Sequence, residues 1–224
     1  MENQKEDQLK VLTKYFMDKF SIELLLDERA PQNNEEKRAK DYFYKLTDIG
    51  YLFNRLLNYD IYFQYFYPNT DKISADEVVE YHIQSYIQDF FLLKERLYSI
   101  INSLKKDLVN CQITNIGEVK HALNHLKNKV EESLQSGLNL RDIHTHERTI
   151  SDLDILKARL IRMTYRQEIL KQKYKDLIDK AKEKYIKQAI NNKMALNELK
   201  DYFSLRFGYI FSSMSGDDSS LFQL

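Results

Sequence analysis

The segment Arg141-Asp142-Ile143-His144-Thr145-His146 sets a permanent cation beside two side chains that titrate near neutrality. Those residue types are the minimum equipment for cleaving a phosphodiester without a metal, since an imidazole moves protons and a guanidinium holds negative charge. The same segment also reads as a polar connection in which Arg141 and the histidines cap helix ends and pair with Asp142, Glu147 or Asp152. Its surroundings have to separate the two.

Four of the five histidines fall between positions 121 and 146, which makes a metal site the rival chemistry. His121 and His125 have the i, i+4 spacing that puts two imidazoles on one helical face, and His144, His146 and Glu147 are available to complete a ligand set. Against it, His121 and His125 point away from the apolar seam of Ile116, Val119, Leu123, Leu126 and Val130. They sit on the side of Glu118, Asn128 and Glu132, as residues of a solvated face do. No metal and no cofactor is therefore expected, and metal content after purification separates the classes. A nucleophilic pair of Cys111 with a histidine is a third arrangement, but nothing near Cys111 activates a thiol.

The elements that must position these residues are helical. Two prolines and five glycines leave few turns among 224 residues, and no Gly-rich phosphate loop or strand-helix alternation is present, which excludes the nucleotide-binding α/β folds. A first helix is expected over about residues 4 to 28, with Leu9, Leu12, Phe16, Phe20 and Leu24 at helical spacing. A second starts near Asn34, with Glu35 and Glu36 in its first turn, and the aromatic run ending at Pro68 is expected in the core. Ser74 with Glu77 forms a capping box that opens a long third helix to about Val109. Asn115 with Glu118 opens a fourth, ending near Gly137, so the Arg141 segment falls in a connection.

Ser151 and Asp152 restart a helix whose apolar positions, Leu153, Leu156, Leu160, Met163, Leu170, Tyr174, Leu177 and Ala181, keep a seven-residue repeat. That seam either packs inside the molecule, against the third and last helices, or docks a partner. A last helix is expected over about residues 194 to 211. The class predicted is all-α, an antiparallel up-and-down helix bundle forming a single domain over residues 1–214, with 215–224 as a flexible tail.

Sixteen Tyr and twelve Phe without Trp point to a core of large rings. The single cysteine excludes an internal disulfide, and neither a leader segment nor a membrane span is legible, so a soluble cytoplasmic protein is expected. The net charge of zero conceals a gradient: residues 1–100 carry eighteen acidic and thirteen basic side chains, while residues 157–193 carry twelve basic and four acidic. The basic stretch either tracks phosphates or forms a solvated helix face.

Within this frame Arg141, Asp142 and His146 resemble the RxxxxH signature of the HEPN superfamily, the higher eukaryote and prokaryote nucleotide-binding domains. There an arginine is commonly followed by Asn, Asp or His and then, four to six residues on, by histidine. The motif covers residues 141–146, and the helical layout extends a weaker likeness over about residues 35–200. The family is a helical bundle with its motif near the start of a late helix. The resemblance implies a metal-independent endoribonuclease, in a defence or toxin setting, with its site at a homodimer interface. Arg141 and His146 would be catalytic, Asp142, His144, Glu147 and Arg148 supporting, and RNA the substrate. A catalytically silent relative, kept as a dimerisation scaffold, is the alternative.

One imidazole serves as acid or as base, not both in one protonation state, and two copies across a dyad supply both. In the toxin branch the motif reads RxxxxHxY, and Arg148 stands here where the tyrosine would be, so neutralisation by tyrosine modification is not implied and no antitoxin is legible. On a regular helix Arg141 and His146 would lie about 140° apart, whereas Arg141 and His144 would share a face. Either the segment is not regular helix or His144 takes the larger part.

Overall fold

The computed structural model describes residues 7–65, 72–110, 116–145, 152–164 and 168–216, with backbone alone for residues 136, 139–145 and 168. Among the described residues every regular element is a helix: α1 (Gln8–Lys19), α2 (Ile22–Leu25), α3 (Asn34–Leu57), α4 (Tyr59–Tyr65), α5 (Ala75–Val109), α6 (Ile116–Thr145), α7 (Leu153–Thr164) and α8 (Glu168–Ser215). The all-α class read from the sequence is the class observed. None of these helices is long and apolar enough to cross a membrane.

The helices gather into two compact units. The first comprises the described parts of Met1–Phe53, Leu93–Ser133 and Asn197–Leu224, and the second comprises those of Asn54–Leu92 and Leu134–Leu196. In the first unit Phe16, Tyr42, Phe207 and Phe211 are all buried, with Phe16 and Phe211 rings 4.8 Å apart and Tyr42 edge-on to Phe207 at 5.5 Å. The Tyr42 hydroxyl leaves that apolar cluster to donate to Asp107 Oδ2 over 2.9 Å, as a buried phenol must. In the second unit Tyr59, Phe63, Tyr86, Phe90 and Tyr185 make the equivalent cluster. Tyr59 donates to Asp89 Oδ2 over 2.7 Å, and Arg55 Nε lies 3.1 Å from the same oxygen.

Local signals hold where they are strong. Asn33 Oδ1 accepts from the Glu36 amide at 2.8 Å ahead of α3, and the Glu77 carboxylate accepts from both the Ser74 amide, at 2.8 Å, and the Ser74 hydroxyl, at 2.7 Å, ahead of α5.

Four expectations are corrected. The first helix breaks at Phe20, whose backbone is extended, because Ser21 accepts from the Leu24 amide at 3.4 Å and starts α2, letting Leu24 and Leu25 bury. The fourth helix does not end near Gly137 but continues to Thr145. Gly137 is a packing glycine, since a Cβ there would lie 2.3 Å from Phe90 Cδ1. The last helix does not start afresh near Met194: α8 runs from Glu168 straight through Asn191 and Asn192 to Ser215, while the restart after Asp152 is described as α7 up to Thr164, with residues 165–167 outside the described residues. Asn192 does not interrupt α8 because its side chain donates to the buried Tyr86 hydroxyl over 2.8 Å instead of competing for backbone.

The fourth correction concerns the seam. Ile155 and Ala158 are buried, while Leu153, Leu156, Leu160 and Met163 are 63%, 37%, 64% and 75% exposed. Of the two readings of the seam, internal packing does not hold for its α7 part, whose apolar stripe faces outward.

Candidate functional site

Arg141, Asp142 and His144 stand on α6, so the described part of the segment containing them is helix and not a connection. Their side chains, together with His146, Glu147 and Arg148 as whole residues, lie outside the described residues, as does Cys111. The helical backbone puts Arg141 and His144 three residues apart on one face. The resemblance implied the start of a late helix, and Arg141 instead lies twenty-five residues into α6, which begins at Ile116.

The described chain resumes at Asp152, which begins α7 by accepting from the Asp154 amide at 2.9 Å. Its other oxygen lies 2.6 Å from Lys184 Nζ and accepts from the Tyr185 hydroxyl at 3.3 Å. Burial pushes the Asp152 carboxyl up, but the Lys184 and Asp154 hydrogen bonds outweigh it and hold it below its ordinary value.

A second buried carboxylate, Asp76, sits in the first turn of α5. Its oxygens receive Tyr174 at 2.8 Å and approach Arg162 Nε at 3.1 Å, and Arg159 bridges from Asp76 to Glu80. Burial again raises this carboxyl, and the bonds from Ser74 and Tyr174 with the charge of Arg162 bring it below normal. With Lys180 on Asp154 at 3.0 Å and Lys193 on Asp60 at 2.7 Å, at least five cations of the basic stretch face carboxylates of the same unit. Those five are therefore paired within the protein, Lys180 and Lys184 doing so from the solvated face, where they are 69% and 53% exposed.

In the first unit a cavity of about 460 Å³ opens between the start of α6 and the end of α8, lined by Gly117, Glu118, His121, Ala122, His125, Arg206 and Tyr209. Glu118, His121 and His125 occupy one face of α6 at i, i+3 and i+7, while Val119, Leu123 and Leu126 face the core. The Nε2 atoms of the two histidines are 3.2 Å apart. Tyr209 donates to Glu118 Oε2 over 3.4 Å. Arg206 lies over the Tyr202 ring at 5.4 Å, and its Nε is buried without a hydrogen-bond partner. This cavity joins the residue types sought at the outset, a guanidinium and two imidazoles, to a phenol and a carboxylate.

No protein-family model, curated protein or solved structure matches the chain.

The sequence placed His121 and His125 on the outer face, where they are. It gave no sign of Arg206 and Tyr209, because more than eighty positions separate them from the histidines and only the packing of α8 on α6 unites the set. The one available signal was the spacing of Arg206 and Tyr209, three residues apart along the flank of the buried Phe203–Phe207 stripe of α8.

Proposed function

We propose that this chain is a HEPN-like endoribonuclease that cleaves RNA without a metal, using Arg141 and His146. The observation that carries the reading is the RDxxxH spacing of residues 141–146 set in an all-helical chain. In the reaction a base removes the proton of a ribose 2′-hydroxyl, the O2′–P bond forms as the P–O5′ bond breaks, and an acid protonates O5′. His146 from each of two chains across a dyad serves these two roles. The Arg141 fork binds the non-bridging oxygens as charge builds on them, and Asp142 orients a neighbouring imidazole. The helical backbone up to Thr145 supports His144, on the face of Arg141, as the second candidate for proton transfer. Such an enzyme would work in the cytoplasm.

A second reading has its own support. Leu153, Leu156, Leu160 and Met163 repeat at intervals of three and four along one exposed face of α7, the pattern that pairs helices between chains. On that reading the protein is a helical interaction module that binds a second copy of itself and cleaves nothing.

The two are separated by incubating wild type, Arg141→Ala, His144→Ala and His146→Ala with RNA in chelator. The nuclease reading expects wild-type cleavage and a loss of roughly 10²–10⁴-fold when the acting imidazole is removed; equal cleavage by all four proteins ends it. A wild type that leaves RNA intact, yet is a dimer that Leu160→Glu dissociates, transfers the function to the interaction module.

A further inference from the structure

We infer that His121 and His125 form a chelating site for a divalent transition-metal ion, Cu²⁺ being held most tightly. Their Nε2 atoms approach to 3.2 Å, with ring centroids 4.3 Å apart and planes tilted by 52°. Two imidazole nitrogens at about 2.0–2.1 Å from one ion stand ~3.3 Å apart on a tetrahedral centre such as Zn²⁺ and ~2.9 Å apart at the cis positions of a square-planar Cu²⁺, so the pair is within a few tenths of an ångström of either. An ion therefore matches the separation of this pair and sits off the line between the two nitrogens, reached by a turn of the imidazole rings with no movement of α6. Both ligands come from successive turns of a single helix, so the helical backbone alone sets the bite.

Nitrogen ligands of this kind select Cu²⁺, Ni²⁺ and Zn²⁺ and discriminate against Mg²⁺ and Ca²⁺, which require oxygen. Among the described residues no three His, Cys, Asp or Glu side chains gather as a fuller ligand set, so the protein supplies two ligands and the ion keeps open positions toward the cavity. Glu118 lies one turn before His121 on the same cavity wall and accepts from Tyr209, and Arg206 lines the same space. That guanidinium acts against a bare dication and in favour of an ion carrying an anionic ligand in the 460 Å³ space. The site precedes Arg141 by sixteen to twenty positions and uses none of residues 141–146, so it stands or falls independently of the nuclease reading.

The test is titration of the tag-free full chain with Cu²⁺ and Zn²⁺, followed by calorimetry, thermal melting and the electron paramagnetic resonance of the copper form. One ion per chain is expected, with two nitrogens coupled to Cu²⁺ and a melting temperature that rises on loading, because the unfolded chain does not preform the bite. His121→Ala and His125→Ala each leave a single ligand and weaken binding by about a hundredfold. His144→Ala/His146→Ala leaves it unchanged, and Arg206→Gln strengthens it. Binding that survives both single substitutions, or that disappears with His144 and His146, overturns the assignment. So does a cavity that takes inorganic phosphate, loses it in Arg206→Gln and binds neither metal ion.

Discussion

Asp152 shows how much one side chain decides. It caps α7 through the Asp154 amide and meets Lys184 and Tyr185 of α8 with its second oxygen. Lys184 is half exposed, so that ion pair adds little after solvent screening. The cap and the buried phenol contact are the larger contributions. Asp152→Ala should lower stability by about 1–3 kcal/mol, read as a shift of the urea midpoint, and Asp152→Asn, which retains a capping oxygen, should lose less. An alanine variant with an unshifted midpoint would disprove the role. This residue was legible as a helix start because capping is a contact within a few positions, as it was for Ser74 with Glu77. The contacts with Lys184 and Tyr185 were not, because those residues lie thirty-two and thirty-three positions further along the chain.

At the scale of elements, the apolar period located the helices and misjudged several ends. Gly137 carries the lesson. A glycine after an apolar seam reads as a helix terminus, yet here it lies inside α6 so that the Phe90 ring can pack on bare backbone. Alanine has the better helix propensity by about 1 kcal/mol, but its methyl group would overlap Phe90, which is fully buried. Gly137→Ala is therefore expected to destabilise, by about 1–3 kcal/mol, measured by thermal or urea unfolding. A stabilised variant would show that α6 tolerates displacement at this point. The seam on α7 failed for a related reason. Leu153, Leu156, Leu160 and Met163 make the more regular stripe, but Ile155 and Ala158, smaller in number and area, are the ones covered. Period tells which residues share a face; it does not tell what that face meets.

For the whole molecule the deciding quantity is charge. The acidic first part of the chain and its basic later part neutralise each other within the second unit, where Asp60, Asp76 and Glu80 meet Lys193, Arg162 and Arg159. Asp76 and Asp152 ionise in the folded protein below the ordinary value of 3.8. Their contribution to stability is therefore complete above that value and is lost as pH falls below it. Asp89, pushed up by burial, works against this just above 3.8. His82 is lowered from 6.5 by burial among aromatic rings, so the unfolded chain takes up its proton first, and stability declines as pH falls from 6.5. Acid unfolding should show an early, shallow loss below pH 6.5 that His82→Gln removes, then a steep loss below about pH 4. A flat unfolding midpoint from pH 7 to pH 4 in the wild type would contradict the early step.

The sequence by itself determined the all-helical class, the caps of the strong helices, the outward face of His121 and His125 and the spacing of Arg141 and His146. Each of these depends on residues a few positions apart or on composition. Only tertiary structure decided that Gly137 is covered by Phe90, that five cations of the basic stretch are paired with carboxylates, and that Arg206 and Tyr209 line a cavity with the two histidines. Those outcomes depend on which helix faces which, and a repeat of three and four residues carries no information about its partner.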